Sequence, residues 1–479
     1  MRSRFSKFPH SFALSLFIIS LTVSGFAEDA TLADIFCDGM VLQRDRPIPV
    51  WGTADDGTTV LVTIGQDQAD TKASEGKWMV QLPPRPASAE PVPFTVSFND
   101  TKQSLNNVVV GEVWLCSGQS NMAGTIHKRA PRPLEDMPLV RQFGKPRGNQ
   151  KDAAVWITAE GDSIPLFSSV SIYFGESLYK KLDVPVGLIL AAVSGTPIEE
   201  WVPRASLESD PEIKASIEKV FDRETRLRLS ELQKKKKAGE GLSPEEKELL
   251  QLRSLTSPGR LHSIHVEPTV PYSIRGVIWY QGEANSKTPE NAAEYGKYLR
   301  LLISGLRQVY QQPALPFYAV QLPSISAGKK DRGPLVYEIV RQQQLETVQE
   351  TTHTGLAVTI DINEGLHPNS KHIVGDRLGA LALHEVYGVK EPATYTSPLL
   401  QSVRFQGSDA VCTFDHAEGG LVLKENPLKL FEIAGDDGAF YPAQAAVQGS
   451  ELVLTSEQVS NPQAVRYAYH SQLDQVSLF

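Results

Sequence analysis

Ser120 lies in the run Val113-Trp114-Leu115-Cys116-Ser117-Gly118-Gln119-Ser120-Asn121-Met122, where an apolar segment passes through Gly-Gln-Ser and then turns towards a helix. A hydroxyl set at the end of a buried strand can attack an acyl carbon once a base removes its proton. By itself a Gly-x-Ser reads as readily as a helix cap, and Met122 stands where a Gly-x-Ser-x-Gly elbow has its second glycine. Three other segments supply the missing functions. Ser194-Gly195-Thr196-Pro197-Ile198-Glu199-Glu200-Trp201 offers an unhindered Gly195 amide that can approach an oxyanion, and Gln281-Gly282-Glu283-Ala284-Asn285 offers the neutral side-chain donors Gln281 and Asn285. Asp361-Ile362-Asn363-Glu364-Gly365-Leu366-His367 ends in a histidine of the type that serves as a general base.

Each of these segments follows a continuous apolar run: Val108 to Leu115, Val186 to Val193, Gly276 to Tyr280 and Leu356 to Ile360, with Pro316 to Leu322 as a further run of the same kind. Such runs suit strands covered on both faces, and helical stripes alternate with them, at Val170, Phe174 and Leu178 and at Tyr295, Leu299, Leu302 and Leu306. The pattern predicts a doubly wound parallel α/β domain over residues 108–390, in which nucleophile, donors and base meet at one carboxyl-end rim. Short β-rich runs without helical period fill residues 28–107 and predict an N-terminal sandwich-like β domain; the same grammar returns in a C-terminal β domain over 391–479. A charged stretch at about 222–254 interrupts the α/β domain. Its Ser243-Pro244-Glu245-Glu246 predicts a capped helix, so the stretch reads as an inserted helical hairpin with Lys234 to Lys237 on a solvated face.

The 479 residues suit several domains, and 41% apolar with 22% charged residues is ordinary globular usage. A net charge of -9 spread along the chain argues against a nucleic-acid partner. Arg2, Arg4 and Lys7 precede an apolar run from Phe12 to Phe26 that ends in small residues, which predicts a signal peptide over 1–27 and a secreted or periplasmic protein with no membrane attachment after cleavage. Cys37, Cys116 and Cys412 read as buried free thiols, with at most one bridge. His262 and His265 have the spacing of a metal pair but lack completing ligands, so neither metal nor cofactor is expected.

The segments GQSNM, SGTPIEEW, WYQGEAN and DINEGLHPNSK resemble, in order, sequence blocks of the sialate O-acetylesterase family, carbohydrate esterases of the SGNH-hydrolase superfamily. Phe36 to Arg44 with Pro49 to Gly52, and Phe431 to Gly435 with Val465 to Tyr467, resemble its terminal β domains, so the likeness spans nearly the whole mature chain. The resemblance implies an SGNH-like catalytic fold and a serine esterase acting on an O-acetylated carbohydrate. It makes Ser120 the nucleophile and His367 the base, with the amides of Ser120 and Gly195 and the Gln281 to Asn285 block forming the oxyanion hole. It also implies a substrate contact for Arg341 and Gln344, against a structural salt bridge for the arginine. One departure concerns the acid that orients the imidazole: family members carry an aspartate two or three residues before the histidine, where this chain has Gly365 and Glu364. Glu364 or Asp361 can fill the role, or a backbone carbonyl can serve a Ser-His dyad. Acetylated xylan or pectin is the alternative substrate class, and an inactive carbohydrate-binding protein the alternative function.

Overall fold

A computed structural model describes residues 30–126, 132–145, 153–325, 336–390, 396–417, 419–423, 430–471 and 473; the expected signal peptide lies outside them. The central sheet contains β1 (Val109–Gly118), β2 (Met137–Gly144), β3 (Val155–Ala159), β4 (Val186–Ala192), β5 (Gly276–Tyr280), β6 (Phe317–Val320) and β7 (Thr354–Ala357). The helices that frame the site are α1 (Ser120–Ala123), α2 (Ser169–Leu182), α3 (Tyr295–Val309), α4 (Tyr337–Glu350) and α5 (Lys371–Glu385). The strand order is β3-β2-β4-β1-β5-β6-β7. All neighbours from β2 to β7 are parallel, and only β3 is antiparallel.

β1 is buried at every residue and lies between β4 on one side and β5 on the other. The chain reaches β4 first and then crosses to β5, so the direction of winding reverses around β1. A crevice at the strand ends follows from that reversal. Register aligns the ends, because Gly118 of β1 stands opposite both Ala192 of β4 and Tyr280 of β5. Gly118 holds a left-handed φ of 142°, and a Cβ there would meet the Tyr280 carbonyl oxygen at 2.1 Å. Only glycine permits that approach.

The N-terminal region forms a three-stranded sheet from 31–32, 48–53 and 77–82 and a four-stranded antiparallel sheet from 59–64, 67–72, 94–98 and 101–105. Val41–Gln43 leaves these sheets and pairs in parallel with the start of β1. Phe36, Met40, Trp78 and Phe94 accordingly belong to the same apolar cluster as the α/β domain, and Val108 marks a change of strand pairing rather than a break in packing. At this junction Glu112, wholly buried in β1, accepts from Arg275 Nε at 2.8 Å and Gln43 Nε2 at 3.1 Å and pairs with Arg44. Burial pushes its carboxyl up, but Arg275, Arg44 and Gln43 outweigh that and hold it below its ordinary value.

The C-terminal region has its own apolar cluster around Leu452, Leu454, Phe431 and Ile433, between a four-stranded and a three-stranded sheet. In the charged stretch, the helices Arg223–Lys237 and Pro244–Gln251 form, and Ser243 and Glu246 make the reciprocal cap that their spacing predicts, at 3.2 and 3.0 Å. Lys235 and Arg228 both pair with Glu246, which places the lysine run on a polar face. Cys37, Cys116 and Cys412 are free thiols; the last two are buried and Cys37 is half-buried.

Candidate active site

β1 runs straight into α1, whose first residue is Ser120. The turn is fixed from both sides: the Gln119 amide donates to Tyr280 O at 3.0 Å, and Gln119 Oε1 accepts from Gln281 Nε2 at 3.1 Å and from the Ala284 amide at 3.2 Å. Met122 is buried behind it, its carbonyl held by the Ser168 hydroxyl at 2.6 Å. The Ser120 hydroxyl is thereby left half-buried at the rim, 2.9 Å from His367 Nε2. The serine and the histidine are 247 residues apart in the chain.

His367 stands on an exposed part of the loop between β7 and α5, and this loop is braced at several points. Asn363 Nδ2 donates to Leu473 O at 2.6 Å. Asp361 receives both terminal nitrogens of Arg377, each at 2.6 Å, and Arg377 Nη1 also donates to Val358 O. β7 ends at Ala357, so Asp361 is not the strand-end residue that the apolar run suggested; it belongs to the loop. Glu364 Oε2 accepts the amides of Asn369 at 2.6 Å and Ser370 at 3.0 Å, and its Oε1 accepts the Ser370 hydroxyl. Burial raises its carboxyl, but Ser370, Asn369 and Lys371 outweigh this and hold it below its ordinary value. Both acids considered for orienting the imidazole are thus engaged in holding the loop that carries it.

The expected oxyanion donors divide into two groups. Gly195 follows the end of β4, is exposed, has φ +75°, and has open space where a Cβ would lie. Ser120 opens α1, where first-turn amides lack intrahelical acceptors. Gln281 and Asn285 differ from expectation: both are buried and their amides are turned inward. Gln281 Nε2 is shared among Gln119 Oε1, Thr196 O and Asn285 Oδ1 at 2.8–3.1 Å, while Asn285 Nδ2 donates to Glu199 Oε2 at 3.0 Å and its Oδ1 accepts the Ile198 amide at 3.0 Å. They tie the three strand-end segments together rather than facing the rim.

Arg341 and Gln344 also lie elsewhere than a substrate contact requires. Gln344 is fully buried, accepting from the Leu322 amide and donating to Gln281 O and Val320 O. Arg341 donates to the carbonyls of Pro323, Ala468 and His470, so it joins α4 to the C-terminal region, and among the described residues it forms no salt bridge. Burial lowers its guanidinium to about 10. It lines a cavity of about 540 Å³ between α4 and the C-terminal sheets, which neither Ser120 nor His367 lines. His262 is buried and His265 packs against the Trp201 ring at 6.0 Å; burial lowers both imidazoles. Among the described residues no three His, Cys, Asp or Glu side chains gather in a way that could hold a metal ion.

Three residues beside Ser120 and His367 were not singled out from sequence: Asn121, Glu283 and Lys371. All three are buried, and they bond to one another behind Ser120 and His367. Lys371 carried a readable signal, since it falls on the same helical stripe as Val374 and Leu378, where a charge is out of place.

A family model described as carbohydrate esterase, sialic acid-specific acetylesterase, matches residues 110–223 and 261–383, and the gap between the two matches coincides with the charged helical hairpin. The sialate O-acetylesterase of Homo sapiens is 27% identical over 460 residues, covering 82% of this chain and 78% of its own. That of Rattus norvegicus is 26% identical over 526 residues, covering 96% and 93%. The crystal structure of a carbohydrate acetylesterase from Xanthomonas citri superposes with a TM-score of 0.76 at 29% identity, covering 94% of this chain and 96% of that one. The chain is an esterase, and it belongs to the sialic acid-specific acetylesterase family of carbohydrate esterases.

Proposed function

We propose that the protein is a serine esterase that removes O-acetyl groups from sugar hydroxyls through an acetyl-Ser120 intermediate, on an SGNH-hydrolase type of α/β domain. The observation that carries this reading is the 2.9 Å hydrogen bond between Ser120 Oγ and His367 Nε2 at the rim of the central sheet. With its proton on Nδ1, the imidazole accepts the Ser120 hydroxyl proton at Nε2 as Oγ attacks the acetyl carbonyl. The amides of Ser120 and Gly195 stabilise the tetrahedral oxyanion. Its collapse returns the proton from Nε2 to the departing sugar oxygen and leaves acetyl-Ser120. Water then gives a proton to Nε2 and attacks the acetyl carbon; the second tetrahedral species expels Ser120 Oγ, which takes the proton back, and acetate leaves. Gln281 and Asn285 act by holding the β4 and β5 loops in place around this reaction.

The relatives named sialate O-acetylesterases favour a sialate as the acetylated sugar. Acetylated xylan or pectin is the second reading. It is favoured by the placement of Arg341, because a sialate carboxylate calls for a cation at the rim and this guanidinium is committed to carbonyl groups on the other side of α4. The basic and apolar N-terminus would send the enzyme to the periplasm or outside the cell. No helix among the described residues is long and apolar enough to cross a membrane.

The test is acetate release from O-acetylated sialosides, acetylated xylan and acetylated pectin by wild type and Ser120→Ala. Loss of a nucleophile lowers turnover on the order of a million-fold. A folded Ser120→Ala variant keeping more than about a tenth of wild-type activity would refute the assignment, and the preferred polymer decides the sugar.

A further inference from the structure

Asn121 follows the nucleophile and is 1% exposed. Its Nδ2 donates to Leu366 O, the carbonyl just before His367, at 3.0 Å, and to Glu283 Oε1. Its Oδ1 accepts from Lys371 Nζ. One side-chain amide therefore bridges the residue after Ser120 and the residue before His367, a short brace across the reacting pair. A primary amide can be turned end for end, and the two orientations differ only in which end donates. The Leu366 carbonyl and the Glu283 carboxylate both accept, so they require Nδ2; the remaining end then needs a donor. Lysine has donors and, as ammonium, no acceptor, which makes the reversed orientation repulsive.

Lys371 is itself held for this task. It opens α5 at 8% exposure, with its nitrogen 5.1 Å from the centre of the Tyr280 ring. Glu283 is 6% exposed, and its Oε2 has no hydrogen-bond partner among the described residues. Burial lowers Lys371 to about 7 against the pull of Glu283 and Glu364, and burial raises Glu283 against Asn121 and Lys371. A buried pair of charges of this kind is expensive to keep, and replacing both partners together by apolar groups is often neutral or stabilising. Stability alone does not account for it, whereas fixing the Asn121 amide does.

We propose that Lys371 is a positioning residue: through Asn121 it fixes the distance between the nucleophile turn and the histidine loop. The proposal rests on the Ser120 and His367 roles given above. Displacement of a reacting group by about 1 Å lowers rate roughly a hundredfold. Lys371→Met should therefore lower kcat on an acetyl ester about a hundredfold while leaving KM within about twofold. Lys371→Arg, which retains a donor-only group, should recover part of the loss. Asn121→Leu should cost about as much as Lys371→Met, and adding Lys371→Met to it should cost no more than about a further threefold, because the lysine acts through the amide.

Labelling of Ser120 by a fluorophosphonate, read by mass spectrometry with circular dichroism as the fold control, separates the two layers of reasoning. If wild-type Ser120 is not labelled, the nucleophile assignment fails. If it is labelled and folded Lys371→Met labels and turns over within about threefold of wild type, or changes only KM, the positioning role is overturned while the nucleophile stands. Fully additive losses in the double variant overturn it too, as does loss of the fold in both Lys371→Met and Asn121→Leu, which would assign the lysine to stability.

Discussion

Replacing Glu364 by glutamine removes a charge without changing shape, and its consequence separates two accounts of how the His367 imidazole is held. Glu364 is exposed and accepts from the Asn369 and Ser370 amides and the Ser370 hydroxyl, closing the loop on either side of His367. Glutamine keeps one acceptor oxygen and turns an NH2 group towards a donor. At an exposed site a charge-assisted hydrogen bond contributes towards the low end of its range, so the local loss is about 2 kcal/mol. If all of that loss falls on the loop conformation that brings Nε2 to Ser120, the competent fraction drops at most about 30-fold. We expect kcat to fall between about 3- and 30-fold with KM nearly unchanged. Removing a carboxylate that touches the imidazole would instead cost roughly 10⁴ in turnover. Asp361→Asn is the comparator: it weakens the fork to Arg377, which keeps its bond to Val358 O, so its effect should appear mainly in thermal stability and less in kcat than that of Glu364→Gln. Steady-state kinetics on a soluble acetyl ester, with circular dichroism melts on the same samples, measure both. A loss near 10⁴ in a folded Glu364→Gln variant would show that this carboxylate orients the imidazole directly. A loss under about twofold would show that the loop needs no cap.

Excising Thr225 to Gln251 and bridging the ends with a short Gly/Ser linker should leave a folded enzyme, since the buried Leu229 and Leu232 belong to neither main apolar cluster; cooperative unfolding lost in the truncated chain would contradict this. Glu112→Gln should cost about 3 kcal/mol in urea unfolding, because it leaves Arg275 without its counter-ion and Arg44 with only the more distant, exposed Asp45. The depressed Glu112 carboxyl contributes stability that is present above the ordinary carboxylate value and lost as pH falls through its folded value, so wild type should lose more stability than Glu112→Gln between neutral pH and pH 3.

The parallel strands were readable because burial on both faces leaves an unbroken apolar run, as in Val109–Gly118, which is buried throughout. The strands 67–72 and 101–105 were not, because both are sheet edges with exposed polar side chains, Asp-Gln-Ala-Asp-Thr-Lys and Thr-Lys-Gln-Ser-Leu. An edge strand needs no apolar period and is safer without one. The hairpin of β2 and β3 was missed for a related reason: Pro138 and a register shift between Met137 and Arg141 break its pattern. Ser120 and His367 were accessible from residue type and position at strand ends. The inward turn of Gln281 and Asn285 was not, because composition says nothing about which side of the rim an amide faces. Arg341 and Gln344 were readable in retrospect, since both share the stripe of α4 that buries Tyr337 and Val348.

What brings the histidine to the serine is a close helix contact remote from both. α5 packs along α2, and a Cβ on Gly375 would meet Tyr173 Cβ at 2.5 Å, while one on Gly379 would meet Ser177 Cβ at 2.4 Å. Two glycines four residues apart put the missing side chains on one face of α5, so the helix axes approach more closely than larger residues would permit. The N-terminus of α5 is thereby set beside the end of β1, and the loop that precedes it carries His367 over Ser120. Lys371, in the first turn, then reaches the Asn121 amide, and Gly118 lets β1 come close enough to Tyr280 for its terminal turn to be held by Gln119. The 2.9 Å contact thus depends on three positions where the chain has no side chain at all, Gly118, Gly375 and Gly379. The same absence of bulk that lowers helix propensity at Gly375 and Gly379 is what the contact between Ser120 and His367 requires there.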